Sequence, residues 1–151
     1  MGKVHDPKEY YKEGIELAVE CLFCMVLVEV LSQLSVHPIP ETYIHQIEDF
    51  AFKHFRAQEA ILDRTSGTVH SHNPNVANMM KVAGLYAEAI GVLSQARFSA
   101  VRRRFMAELR NPQNTVHTTV SIIEGMKFLR VKMFPVEELE AWFAFLQELA
   151  N

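Results

Sequence analysis

Every proline in this chain stands at the edge of an apolar-periodic segment, and that placement limits the fold more than any other feature. Pro7, Pro38, Pro40, Pro74, Pro112 and Pro135 punctuate runs whose apolar residues recur every three to four positions, the period of a helix face. No run between them alternates convincingly with period two, so the pattern predicts helices without strands.

Asp6-Pro7 reads as a cap followed by a first turn, and a first helix runs from there to about Leu34. Glu9, Glu13, Glu16 and Glu20 form an acidic stripe that continues into Phe23, Cys24 and Leu27. This helix is expected to begin half-exposed and to end surrounded by apolar packing. His37-Pro38-Ile39-Pro40 stops it. A second helix is expected from about Glu41 to Phe55, with Ile44, Ile47, Ala51, Phe52 and Phe55 inward. The weakly periodic stretch 56–75 reads as a long loop with at most a short helical start.

Asn73-Pro74 should cap a third helix reaching about Arg97. It carries a large stripe, Met79, Ala83, Tyr86, Ile90 and Leu93, and a small one, Ala77, Gly84, Ala87 and Gly91. Each glycine costs a helix about 1 kcal/mol relative to alanine. Close approach of a neighbouring helix along the small stripe would compensate, which makes this helix central. A fourth helix is expected over about Ser99 to Arg110, burying Phe98, Val101, Phe105 and Leu109. A fifth covers about Gln113 to Val131, with Val116, Val120, Ile123, Lys127 and Phe128 along its turns. A sixth follows Phe134-Pro135, with Glu137 and Glu138 in its first turn. Leu139, Trp142, Phe143, Leu146 and Leu149 are its expected buried face, leaving Phe145 on a second apolar surface.

The fold class is therefore all-α: about six helices in sequential antiparallel pairs, a segment of a HEAT- or armadillo-like α-solenoid. One block spans 1–151, with the long loop at about 56–75. There is no strict sequence repeat, so the solenoid expectation rests on helix pairing and on apolar surface left at an end.

Composition narrows the function classes. The chain has 151 residues, 49% of them hydrophobic, and a net charge of -3. That supports a sizeable core and excludes strong whole-chain attraction to nucleic acid or anionic lipid. The most apolar stretch, Cys21 to Val28 with Val30 and Leu31, is bracketed by Glu20 and Glu29 and too short to span a bilayer. The N-terminal residues lack the apolar region of a secretion signal. Two cysteines in a methionine-rich chain argue against disulfide stapling, so a reducing compartment is expected.

The possible reactive groups dissolve under their spacing. Cys21-x-x-Cys24 lies inside a helix rather than at its N-terminus, so both cysteines should be packing residues. His70-x-His72, with His54, offers three imidazoles in a polar loop and supports a metal- or ligand-binding alternative. Without a carboxylate or cysteine at ligand spacing, exposed histidines are the simpler reading. Glu20 and Glu29 are nine apart and point to opposite helix faces. No nucleophile motif and no phosphate-cradling glycine loop occurs. The chain is expected to be no enzyme and to need no cofactor or metal.

Charge is polarised along the chain. From Arg97 to Lys132, eight basic residues face only Glu108 and Glu124, whereas the first 65 residues have six basic and eleven acidic. Arg102, Arg103, Arg104, Lys127, Arg130 and Lys132 are the candidate partner-binding surface. An internally paired, solvated face is the competing reading. Nucleic acid fits less well, because no aromatic residues interleave the basic ones.

Several blocks resemble a known family. They are Val26-Leu27-Val28-Glu29-Val30-Leu31, His37-Pro38 and Ala51-Phe52-Lys53-His54-Phe55. The stretches 85–93, 95–98, 100–109 and 125–137 continue the likeness in order. Together they resemble the N-terminal region of the Furry family; the likeness is thinnest over 56–75. The resemblance implies a fragment of a very large protein of HEAT/armadillo-like repeats, a scaffold in cell morphogenesis, polarised growth and neurite patterning. It implies NDR-type kinases, MOB adaptors and, for some members, microtubules as partners, with neighbouring repeats of the same chain alongside. It implies a cytoplasmic place at the cell cortex or cytoskeleton, and it brings no catalytic residues. A purely structural helical-repeat spacer is the alternative role.

Overall fold

The computed structural model describes residues 6–66, 73–130 and 136–151. Five α-helices and one 3-10 turn make up the described residues, with no strand among them: α1 (Pro7–Ser32), α2 (Glu41–Ser66), α3 (Val76–Leu109), α4 (Val116–Gly125), the turn Met126–Phe128, and α5 (Val136–Ala150).

Local chemistry sets several ends. Asp6 caps α1 by accepting from the Lys8 amide at 3.0 Å, with Pro7 in the first turn. Thr115 caps α4 through the Thr118 amide. The expected cap of α3 is displaced. Asn73 accepts from the Asn75 amide at 2.8 Å, and Asn75 is the N-cap residue. The Asn75 side chain is turned away to α1, donating to the Tyr10 carbonyl and the Glu13 carboxylate.

α3 is the centre of the fold, packed by α1, α2, α4 and the 3-10 turn. It is one continuous assignment but two limbs, because Arg97 leaves helical geometry at φ -140° and ψ 45°. Its contacts run antiparallel to α2 from Tyr86 to Arg97 and then parallel to it from Arg97 to Glu108. The chain therefore reverses at Arg97, where the sequence separates its third and fourth helices. Glu41, Glu48 and His45, all on α2, hold the Arg97 guanidinium. α1 runs antiparallel to α2, with Glu20 beside His54 and Phe23 against Phe50.

The core forms where the stripes predict it on α2 and α3. Phe52, Phe55, Met79, Tyr86, Ile90, Leu93, Val101 and Phe105 are buried, and Phe52 meets Phe105 edge-on. α3 is also long and apolar enough to cross a bilayer by length and composition, but its most apolar window is 56% buried inside this fold.

Four expectations need correction. The loop at 56–75 is helical to Ser66, because α2 continues past Phe55; residues 67–72 lie outside those described. The fifth helix is shorter than 113–131. It starts at Val116 and tightens into the 3-10 turn after Gly125, because the chain there presses on α3. α1 does not end surrounded by packing. Only Leu17, Cys24 and Leu31 are buried, one stripe at seven-residue spacing, while Leu22, Met25, Val26 and Val30 face outward. α5 is rotated from its expected register: Phe145 is 0% exposed and Phe143 57%. Phe145 belongs with Trp142 and Phe98, at centroid separations of 5.6 and 6.4 Å.

The small stripe on α3 also divides. A Cβ at Gly91 would lie 2.1 Å from the Phe128 carbonyl oxygen, so the 3-10 backbone sits directly on this glycine. Among the described residues, nothing lies within 4 Å of a Cβ at Gly84. The Ser94 hydroxyl fixes the approach, accepting from the Arg130 amide at 2.9 Å while it donates to the Gly91 carbonyl of its own helix at 2.5 Å.

Candidate functional site

The basic surface is only partly free. Arg104 is committed to structure: its guanidinium meets Asp49 at 2.9 Å and Glu108 at 3.5 Å, and lies over the Phe52 ring at 5.2 Å. Arg56, Arg97 and Arg110 are similarly paired, with Glu108, Glu48 and Glu148. Arg102 is half-buried and has no ion pair among the described residues. Arg103 is exposed and donates only to the Ser99 carbonyl one turn back. Lys127 is exposed, its ammonium 5.1 Å from the Phe128 ring centre. Arg130 projects from the segment that Ser94 anchors. Lys132 lies outside the described residues. The candidate surface thus reduces to Arg102 and Arg103 on the second limb of α3, with Lys127 and Arg130 after α4.

A polar cluster at the junction of α1, α2 and α3 had no signal in local spacing. The Tyr86 hydroxyl donates to Glu20 Oε1 at 2.7 Å, and His54 Nδ1 is 3.6 Å from the same oxygen. The His54 ring stacks on Tyr86 and tilts against Phe50, with centroids 5.3 and 4.2 Å away. Burial pushes the Tyr86 phenol far above its ordinary range, and its bond to the Glu20 carboxylate adds to the rise. Burial also pushes the Cys24 thiol up to about 11, despite a lowering contact with Tyr86. A thiol so raised is protonated at neutral pH and is a poor nucleophile. The cluster ties three helices; it does not activate a group. Cys24 is thus a packing residue, and Cys21 beside it is half-buried and also free.

Glu48 is the other buried acid. Burial raises its pKa above the usual carboxylate value, against the lowering influence of His45 and Arg104. It sits 3.3 Å from the Arg97 guanidinium, at the reversal of the chain.

No group of three or more His, Cys, Asp or Glu could hold a metal among the described residues. His70 and His72 lie outside them, and His54 is engaged with Glu20, Phe50 and Tyr86.

The largest uncommitted feature is apolar. Tyr11, Ile15, Val19, Leu22, Met25, Val26 and Val30 form an exposed face along α1. At the N-terminal end it borders a cleft of 460 Å³ lined by Tyr10, Tyr11, Gly14, Ile15, Ala18, Pro74 and Asn75. A shorter stripe, Val116, Val120 and Ile123, is exposed on α4.

Comparison with known proteins assigns the chain. Residues 13–151 match the family model described as cell morphogenesis N-terminal. The chain is 26% identical over 135 residues to "Cell morphogenesis protein PAG1" of Saccharomyces cerevisiae, an alignment covering 86% of this chain and 5% of that relative. No solved structure matches.

Proposed function

The chain belongs to the cell-morphogenesis N-terminal family, and on that premise we propose that it is a non-catalytic scaffold segment of a large, Furry-like polarised-growth protein. In this reading it is part of a HEAT/armadillo-like array in the cytoplasm, at the cell cortex or cytoskeleton, and engages an NDR-type kinase with its MOB adaptor. The observation that carries the partner-docking part is the division among the arginines. Arg56, Arg97, Arg104 and Arg110 are paired with carboxylates, whereas Arg102 and Arg103 have no ion pair among the described residues. Cations left unpaired beside a rigid helix limb suit a partner with an acidic surface.

A pull-down with purified NDR kinase and MOB tests this. The variant is Arg102→Glu with Arg103→Glu, keeping Arg104 because its contacts hold the fold. The reading expects capture by the unaltered chain and its loss in the double variant. Absence of capture by the unaltered chain, with capture by the longer protein, would move the interface elsewhere.

A second reading, a structural spacer, is favoured by the exposed face of α1. Its contacts would be with other helices of the same long polypeptide. Undiminished kinase and adaptor capture by the double variant would favour it.

A further inference from the structure

The exposed face of α1 has a charge order of its own. Lys8 and Lys12 flank it at the N-terminal end, Lys12 in an exposed pair with Glu16 at 3.9 Å, and Glu29 is the one charged residue among its apolar positions at the C-terminal end. The last turn of α1 has no basic residue to offset Glu29 and the helix's own negative end. Between these ends the face is apolar from Tyr11 to Val30, a length of about 29 Å at 1.5 Å per residue.

Such a face complements itself when turned end for end. In the antiparallel register that sets Val19 level with Leu22 of a second copy, Ile15 comes level with Val26 and Tyr11 with Val30. The same register sets Lys12 level with Glu29, and Lys8 with the turn beyond it. The Lys12–Glu29 pair thus brings opposite charges together at each end of the face, and the two helix dipoles oppose. Met25, on the cleft side of the face, comes level with the cleft beside Gly14. Methionine is the side chain best able to fill an irregular gap. We propose that α1 is a homodimerisation helix, pairing antiparallel with α1 of a second copy of this chain about a two-fold axis between residues 20 and 21. A stripe about 29 Å long and about 10 Å wide covers about 290 Å² per copy, well below a standard interface, so the dimer is expected to be weak and to dissociate on dilution. The proposal is independent of the kinase-docking reading, which concerns a different face.

Sedimentation velocity of the 151-residue chain across a dilution series tests it. The expected result is a reversible monomer–dimer equilibrium. Leu22→Glu, at the centre of the face, should abolish the dimer while circular dichroism keeps its helical signal. Lys12→Glu and Glu29→Lys should each weaken dimerisation several-fold, and the two together should restore it. That rescue would separate paired copies from unspecific clustering. A strictly monomeric chain, open-ended oligomers, a dimer indifferent to Leu22→Glu, or single charge reversals that the double reversal does not rescue would each overturn the proposal. A monomer whose α1 face instead captures a helix from another part of the longer polypeptide would assign the face to the spacer reading.

Discussion

Replacing Gly91 and Gly84 by alanine should move stability in opposite directions, although both stand on the same helix, seven residues apart. Alanine improves an exposed helix interior by about 1 kcal/mol over glycine. At Gly84 no described residue comes within 4 Å of the added carbon, so nothing described opposes that gain. At Gly91 the carbon would lie 2.1 Å from the Phe128 oxygen and 2.6 Å from its carbonyl carbon. Ordinary carbon contacts begin near about 3.5 Å, so the 3-10 backbone must retreat by more than 1 Å. Its anchor, the bond from the Arg130 amide to the Ser94 hydroxyl, resists that movement. Overpacking costs about 1–3 kcal/mol, and the strained hydrogen bond adds about 1 kcal/mol. After subtracting the propensity gain, Gly91→Ala should lose about 2 kcal/mol. The two variants should then differ by about 3 kcal/mol, or about 6–12 °C in Tm for a chain of this size. Thermal unfolding followed by circular dichroism measures the difference. A Gly91→Ala variant as stable as the unaltered chain would refute the argument that Phe128 is held against this glycine.

Two further predictions concern packing and pH. Phe145→Ala should destabilise by about 3–5 kcal/mol, because it empties the site beside Trp142 and Phe98, whereas Phe143→Ala should change stability by at most about 0.5 kcal/mol; denaturant unfolding of the two reads the register of α5. Glu48 has a folded pKa raised above 4.5 by burial, so its contribution is fully present below that value and is lost as pH rises through the folded pKa. Glu48→Gln lacks that loss, and urea unfolding from pH 4.5 towards neutrality should show its stability improving relative to the unaltered chain; a difference that is flat or of opposite slope would contradict the sign.

Punctuation by proline made most helix boundaries legible, and the one break without proline was legible for a different reason. The stripe Met79, Ala83, Tyr86, Ile90, Leu93 calls for an apolar residue at 97 and meets arginine; Phe98 starts a new phase. The structure turns the chain at that residue and holds it with three side chains of α2. The extension of α2 to Ser66 was missed because periodicity fades after Phe55, while Ala57, Gln58, Glu59, Ala60 and Leu62 all favour helix by propensity. Backbone preference continued the helix where the apolar stripe no longer required it. The Glu20, His54 and Tyr86 cluster was illegible because its members are far apart in sequence and meet only through tertiary packing.

Orientation was least legible on the most apolar helices, and the reason bears on function. A stripe specifies a buried face only when the opposite face is polar. α5 carries Leu139, Ala141, Trp142, Phe143, Ala144, Phe145 and Leu146 in close succession, and the stripe through Leu139, Trp142 and Leu146 takes Phe143 inward where the fold takes Phe145. α1 from Cys21 to Val28 is apolar all round, yet α3 covers only its Leu17, Cys24 and Leu31 side. A helix this hydrophobic on the side away from its core has more apolar surface than the chain's own fold uses. The excess is concentrated on α1 and bounded by opposite charges at its ends, which favours a specific contact over general stickiness. That surface lies apart from Arg102 and Arg103 on the second limb of α3, which have no ion pair among the described residues, so the docking and dimer proposals can be tested separately.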